Sequence, residues 1–148
     1  MERQILLKTL WGSQAHGTAI ETSDTDYRGI FFDVKSKSDY LFGKYDDFYS
    51  KNKDENYDSI FKVKKLLEKA NPDTLQLIFI PEDCIVIKNK VLNNLFYHRN
   101  MYITKATLDG FIGYANDQIM KATGLNKKAN YTEADKIRQH AINFVYFT

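Results

Sequence analysis

An apolar run that ends in Gly12-Ser13, and a second that opens directly after Asp24-Thr25-Asp26, constrain most of what the N-terminal half of this chain can become. Residues 5–11 read as a strand and Gly12-Ser13 as the tight turn at its end. Glycine has no Cβ, so backbone N–H groups and the Ser13 hydroxyl at such a turn can approach a phosphate closely. Asp24 and Asp26 stand at i and i+2. A strand over 25–32 would project both carboxylates from one face, and two fixed carboxylates are a ligand set for magnesium. Plain turn chemistry competes, because Ser-Asp-x-Asp is also a common loop former. The order strand, Gly-Ser, polar crossing, Asp-x-Asp, strand favours the metal. Acids at the start of a strand that enters a core are held rigidly, and loop acids are not.

The rest of the chain alternates, then turns helical. Residues 14–20 suggest a loop or short helix, 27–34 a strand, and 35–53 a long loop or short helix (37–41) leading into a hairpin. Residues 53–58 suggest a third strand. A helix is expected over 59–69, with Ser59 or Asp58 as N-cap and Ile60, Val63, Leu66, Leu67 and Ala70 at helical spacing. Asn71-Pro72 starts another, asparagine as N-cap and proline where its missing donor costs nothing; Pro81 ends it. Residues 84–87 form a fourth strand or an edge segment. Helices follow over 91–98 and 104–122, the second with Leu108, Phe111, Ile112, Ala115 and Ile119 in register. Residues 124–130 read as a basic loop, and Thr132-x-x-Asp135 opens a last helix carrying Ile137, Ala141, Ile142 and Val145.

A chain of 148 residues with 43% hydrophobic and 27% charged residues suits one soluble globular domain. A net charge of +2 is too small to argue for nucleic-acid binding. Cys84 is the only cysteine, which forbids an internal disulfide, fits a reducing cytoplasm and points to a buried small hydrophobe. No run is long enough to span a bilayer, and no signal peptide is expected. The 14% aromatic content is dispersed and reads as core or rim rather than as base-stacking platforms.

A phosphoryl-transfer site with two metal ions wants a third carboxylate on a neighbouring strand. In a strand over 53–58, Asp54, Asn56 and Asp58 share one face, so Asp54 and Asp58 are the candidates; Asp58 is the better N-cap. Arg28, following the acids, is expected to face away from them and to pair with a carboxylate. Lys121, Lys127, Lys128 and Arg138 concentrate positive charge late in the chain.

Gly12-Ser13-Gln14-Ala15-His16-Gly17, with Ser23-Asp24-Thr25-Asp26-Tyr27-Arg28-Gly29, resembles the signature of the polymerase-β-like minimal nucleotidyltransferases, and among them the RlaP/YcgL type of bacteria and phages. The stretch from Ser59 through Lys62 to Ala70-Asn71-Pro72 and Leu75-Gln76-Leu77 is similar to that type's helix, Asn-Pro turn and Leu-Glu-Leu follow-on. A weaker likeness lies in Gly113-Tyr114-Ala115 and Lys127-Lys128. The resemblance covers the chain to about residue 130.

That resemblance implies an α+β fold of the polymerase-β palm-like kind, a small mixed sheet flanked by helices, with a catalytic core over 1–88 and a helical extension over 89–148 packed on it. Family members run further, so a truncated C-terminus is expected. It implies an enzyme that moves a nucleoside monophosphate from an NTP, such as ATP, to a hydroxyl of RNA (tRNA included), protein or a small molecule. Asp24, Asp26 and Asp54 would hold two Mg²⁺ ions, Asp54 being nearest the family's third acid. Gly12, Ser13, Lys62, Lys127 and Lys128 would contact phosphates, and His16 lies near them. The resemblance of Asp26-Tyr27-Arg28-Gly29 to the family's pattern allows Arg28 a role in the site, as the alternative to pairing away from it. His140 resembles a histidine of the last helix, while Asn143 stands where an arginine is expected. The alternative is a degenerate nucleotide- or RNA-binding module, antitoxin-like, without chemistry.

Overall fold

Leu7, Ile30, Phe31 and Tyr57 are fully or almost fully buried, and they come from three strands that lie side by side. In a computed structural model, which describes residues 3–15, 17–33, 35, 41–43, 47–49 and 54–127, the architecture is α+β. Strands β1 (Gln4–Trp11), β2 (Asp26–Phe32), β3 (Asp47–Tyr49), β4 (Glu55–Ser59) and β5 (Ile85–Lys88) form one sheet in the order β3-β4-β2-β1-β5. Only β2 and β4 run parallel; the other pairs are antiparallel. The chain divides into two compact units, Met1–Tyr102 and Ile103–Thr148.

Two corrections concern the sheet. It has five strands where four are counted from the sequence: the hairpin expected ahead of residues 53–58 is formed by a separate strand, β3, antiparallel to β4. Strand β2 begins at Asp26, so Asp24 precedes the ladder. Gly29, in the centre of β2, is required by contact: a Cβ there would meet the Leu7 carbonyl oxygen at 2.1 Å and the Tyr57 ring at 2.7 Å.

Helix α1 (Ile60–Glu68) is capped by Ser59, whose Oγ accepts from the Lys62 amide (3.2 Å). Asp58 is therefore not the cap; it is the penultimate residue of β4 and is buried. Val63 and Leu67 are the helix's buried positions, each contributing about 1.5–3 kcal/mol. The helix ends with Ala70 at φ 52°. Asn71 N–H donates to Leu66 O and Ala70 N–H to Leu67 O, both at 2.9 Å, a paired closure usually built on glycine. Asn71 then caps α2 (Pro72–Ile78), its Oδ1 accepting from the Thr74 amide at 3.0 Å, with Pro72 in the first turn. Leu75, Leu77 and Ile78 enter the core. Arg99 donates to the Ile78 carbonyl (3.1 Å) at the end of α2, a cation where helix carbonyls lack partners.

Cys84 sits in a 3-10 turn just before β5 rather than inside a strand. It is buried with Ala15 and Ile80, and burial pushes its thiol pKa up. Residues 90–92 form a 3-10 turn leading into α3 (Asn93–Tyr97), so the helix expected over 91–98 is shorter and regular only in its second part. In the second unit, α4 (Lys105–Lys127) continues through Gly124, where a loop is expected. Its buried positions are Thr107, Phe111 and Ala115, whereas Leu108, Ile112 and Ile119 are exposed. The apolar stripe therefore splits into a buried and an exposed half. No helix among the described residues is long and apolar enough to cross a membrane.

Candidate active site

Three neighbouring strands bring the signature residues to one end of the sheet. Trp11, the last residue of β1, stands opposite Asp26, the first of β2. Gly12 turns the chain away with φ +62°, and a Cβ there would lie 3.3 Å from Asp26 Oδ2. The crossing is closed by the Thr18 amide donating to Ser13 O (2.9 Å) and by a turn in which Ser23 N–H donates to Ile20 O and Ser23 Oγ accepts from the Ile20 amide. On the other side the Tyr27 amide donates to Asp54 O (2.8 Å). This bond starts the parallel ladder that continues with Tyr27 against Glu55 and Arg28 against Asn56.

The result is a cleft of about 190 Å³ lined by Trp11, Asp26, Tyr27, Arg28, Asp54 and Asn56. Asp26 and Asp54 are both exposed to solvent. Among the described residues neither carboxylate has a protein cation against it, although Asp33, Glu55 and Asp58 all do. Asn56 Oδ1 is buried and has no hydrogen-bond partner. Hard oxygen donors without a counter-charge suit a divalent magnesium ion, which takes carboxylate and water oxygens. No group of three or more His, Cys, Asp or Glu side chains placed to hold a metal is found among the described residues.

Arg28 lines this cleft with Asp26, contrary to the expectation that it faces away. The physical reason is simple: residues two apart on a strand share a face. Its Nη2 lies 3.4 Å from Asp58 and its Nη1 3.9 Å from Asp73, so the expected pairing with carboxylates is found. Trp11 stacks on the guanidinium at 4.8 Å, and Thr9 Oγ1 donates to the Arg28 carbonyl at 3.0 Å. Asp58, only 4% exposed, is held by Arg28 and by Lys62 Nζ at 2.7 Å.

Of the residues singled out in the sequence, Gly12, Asp26 and Asp54 come together. Asp24 lies exposed in the loop before β2, where strand alternation does not fix its direction, and it does not line the cleft. Ser13 is in the turn after β1, its carbonyl engaged with Thr18. Lys62 is engaged with Asp58. Lys127 is the last residue of α4, in the second unit. His16, Lys128, Arg138, His140 and Asn143 lie outside the described residues. Asn56, placed by the sequence on the face of Asp54 but given no role there, lines the cleft, and so does Trp11, which strand register with Asp26 would find.

On the sheet's other face Lys8, Glu55 and Tyr57 form a chain, with Lys8 Nζ to Glu55 Oε1 at 2.7 Å and Tyr57 Oη donating to Glu55 Oε2 at 2.9 Å. The Lys8 hydrogen bond holds the Glu55 carboxyl below its usual range. Burial, followed by the bond to Glu55, pushes the Tyr57 phenol well up. Its hydroxyl stays protonated and serves as a donor.

A strand–turn–strand presenting acids beside a parallel third strand is consistent with a polymerase-β-like α+β fold. The sequence matches the family described as the RNA repair pathway DNA polymerase beta family (RlaP) over residues 1–140 of 148. The chain belongs to that family. No curated protein and no solved structure gives a significant match to it.

Proposed function

We propose that this protein is a magnesium-dependent nucleotidyltransferase that moves a nucleoside monophosphate from an NTP to a hydroxyl. The observation that carries the reading is the pair Asp26, the first residue of β2, and Asp54, tied just before β4 by the bond from the Tyr27 amide, lining one cleft with no protein counter-charge among the described residues. They would hold magnesium, with Asp24 available from the preceding loop. When bound, the ion supplies charge neutralisation for the triphosphate and acidifies the attacking hydroxyl. Gly12 keeps the space beside Asp26 open, and its turn, with Ser13, can admit a phosphate. The acceptor oxygen attacks the α-phosphorus, its proton passes to Asp54, and pyrophosphate leaves. No covalent protein intermediate is needed, because positioning and electrostatics carry most of such a reaction. The family's description names RNA repair, so an RNA hydroxyl is the first acceptor to test. A cytoplasmic setting, where NTP and RNA meet, belongs to the same reading.

The test is pyrophosphate release from each NTP with Mg²⁺ and RNA. Asp26→Asn and Asp54→Asn should each abolish release while leaving the thermal transition in place; retained activity in either refutes the assignment. The absence of a third ligand beside Asp26 and Asp54 among the described residues favours a second reading, a nucleotide-binding module without chemistry. Metal-dependent NTP binding with no pyrophosphate release under any acceptor would select it.

A further inference from the structure

The cleft holds one cation as well as two acids. Arg28 lines it, and the guanidinium's donors are only partly used. Nη2 faces Asp58 at 3.4 Å, Nη1 is 3.9 Å from Asp73, beyond hydrogen-bond distance, and buried Nε has no partner. A guanidinium has five N–H donors arranged to match carboxylate or phosphate oxygens, so this one is under-satisfied where it stands. The two carboxylates on it differ in kind. Asp58 is 4% exposed and also holds Lys62, which fixes it; Asp73, in the first turn of α2, is 46% exposed and makes only the long contact. Trp11 flanks the guanidinium at 4.8 Å and Thr9 bonds its backbone, which restrains where Arg28 can go.

We propose that Arg28 is the pyrophosphate-binding cation of this cleft and that Asp73 is an exchangeable counter-ion, which yields its place when the phosphates arrive. The proposal rests on the nucleotidyltransferase reading of the same cleft and adds the group that holds the leaving portion of the NTP. Asp58 orients Arg28 from behind, Trp11 covers its face, and Nη1, which makes only the long contact to Asp73, is the donor left for phosphate oxygens. Asp73 keeps the cation neutralised while the cleft is empty. It competes with the phosphates, so the resting affinity is lower than Arg28 alone would give.

Calorimetric titration with inorganic pyrophosphate and Mg²⁺ tests it. Asp73→Asn removes the competing charge at a half-exposed position that anchors nothing else in the described contacts, and should tighten pyrophosphate binding about three- to tenfold, the scale of a partly screened charge. Arg28→Lys keeps the charge but not the fork, and should weaken binding about tenfold or more. In an Arg28→Lys background, Asp73→Asn should lose most of its effect, which separates exchange at Arg28 from a general change in surface charge. Unchanged or weaker binding in Asp73→Asn, or an equal gain in the Arg28→Lys background, overturns the proposal. Pyrophosphate release by Asp26→Asn is measured in parallel. If that variant is inactive while Asp73→Asn leaves pyrophosphate affinity unmoved, the metal-site reading stands and the role of Arg28 falls.

Discussion

Gly12→Ala and Gly17→Ala together form a controlled test of the site. Both glycines sit in the left-handed region, at φ +62° and +65°, where an L-residue costs roughly 1–2 kcal/mol. They differ in what the new methyl meets. At Gly17 nothing lies within 4 Å, whereas at Gly12 the Cβ would stand 3.3 Å from Asp26 Oδ2, closer than an ordinary van der Waals contact. Asp26 is exposed at the start of its strand, so its carboxylate can give by a few tenths of an ångström and the added stability cost is small. The two variants should therefore lose about the same stability in denaturant titration, roughly 1–2 kcal/mol each. Their chemistry should diverge. A misplacement of about 1 Å can cost about a hundredfold in rate, so a shift of tenths of an ångström at Asp26 should lower pyrophosphate release several-fold, to about tenfold. It should also weaken Mn²⁺ binding, with Gly17→Ala unchanged in both. Equal activity in the two variants, at matched stability, would refute the idea that Gly12 is there to leave room for Asp26.

Other outcomes follow from the contacts around the site. Asp58→Asn leaves Arg28 and Lys62 without their shared carboxylate and should destabilise by about 2–3 kcal/mol in urea, below the value for a wholly buried pair because Lys62 keeps 26% of its surface. Ala70→Gly relieves a φ of 52° at the end of α1 but gives up a buried methyl, so a net gain of about 0.5–1 kcal/mol and a higher Tm are expected. The Glu55 carboxyl is depressed in the folded state, chiefly by Lys8. Its contribution is therefore present above the unfolded pKa near 4.5 and is lost as pH falls through the lower folded value. Lys8→Met should flatten that acid limb, read as Tm against pH between about 5 and 3, by less than about 1 kcal/mol, because the pair is partly exposed.

How much of this was legible depended on how local the signal was. Asn71-Pro72 predicts its helix start because cap and ring act within three residues, and Asn71 Oδ1 indeed meets the Thr74 amide. Strands β1 and β2 are apolar enough to read. Strand β3 is legible only as a hairpin ahead of residues 53–58: the bounds of Asp47–Tyr49 are set by pairing with β4, and nothing in three residues fixes them. Long helix α4 was readable as a helix but not by face, since Leu108 and Phe111 are equally apolar and only tertiary packing decides that Phe111 is buried and Leu108 exposed. Arg28 was misplaced for a different reason. The rule that places it beside Asp26 is the same period-two rule that would pair Asp24 with Asp26, and it holds only from Asp26 onward, where the ladder begins.

The choice between Asp54 and Asp58 shows what a spacing argument lacks. In a strand over 53–58 the two share a face with Asn56, and sequence alone leaves both eligible to join Asp24 and Asp26; in the structure β4 begins at Glu55, with Asp54 just before it. Their surroundings separate them. Asp58 is buried between a guanidinium and an ammonium, and its charge is already neutralised. Recruiting it to a metal would strand Arg28 and Lys62 in a partly dry environment, which is unfavourable by several kcal/mol, on the order of 3–5 for a fully buried pair. Asp54 is exposed at the strand's start with no cation against it among the described residues, and its backbone is fixed to β2 by the bond from Tyr27. A carboxylate held in place but left without a counter-charge, next to another in the same condition, is one that a divalent cation can take at little cost. Asp58, already paired, does the complementary task of orienting Arg28, so under the proposed reading Asp54 binds positive charge from outside while Asp58 fixes positive charge within.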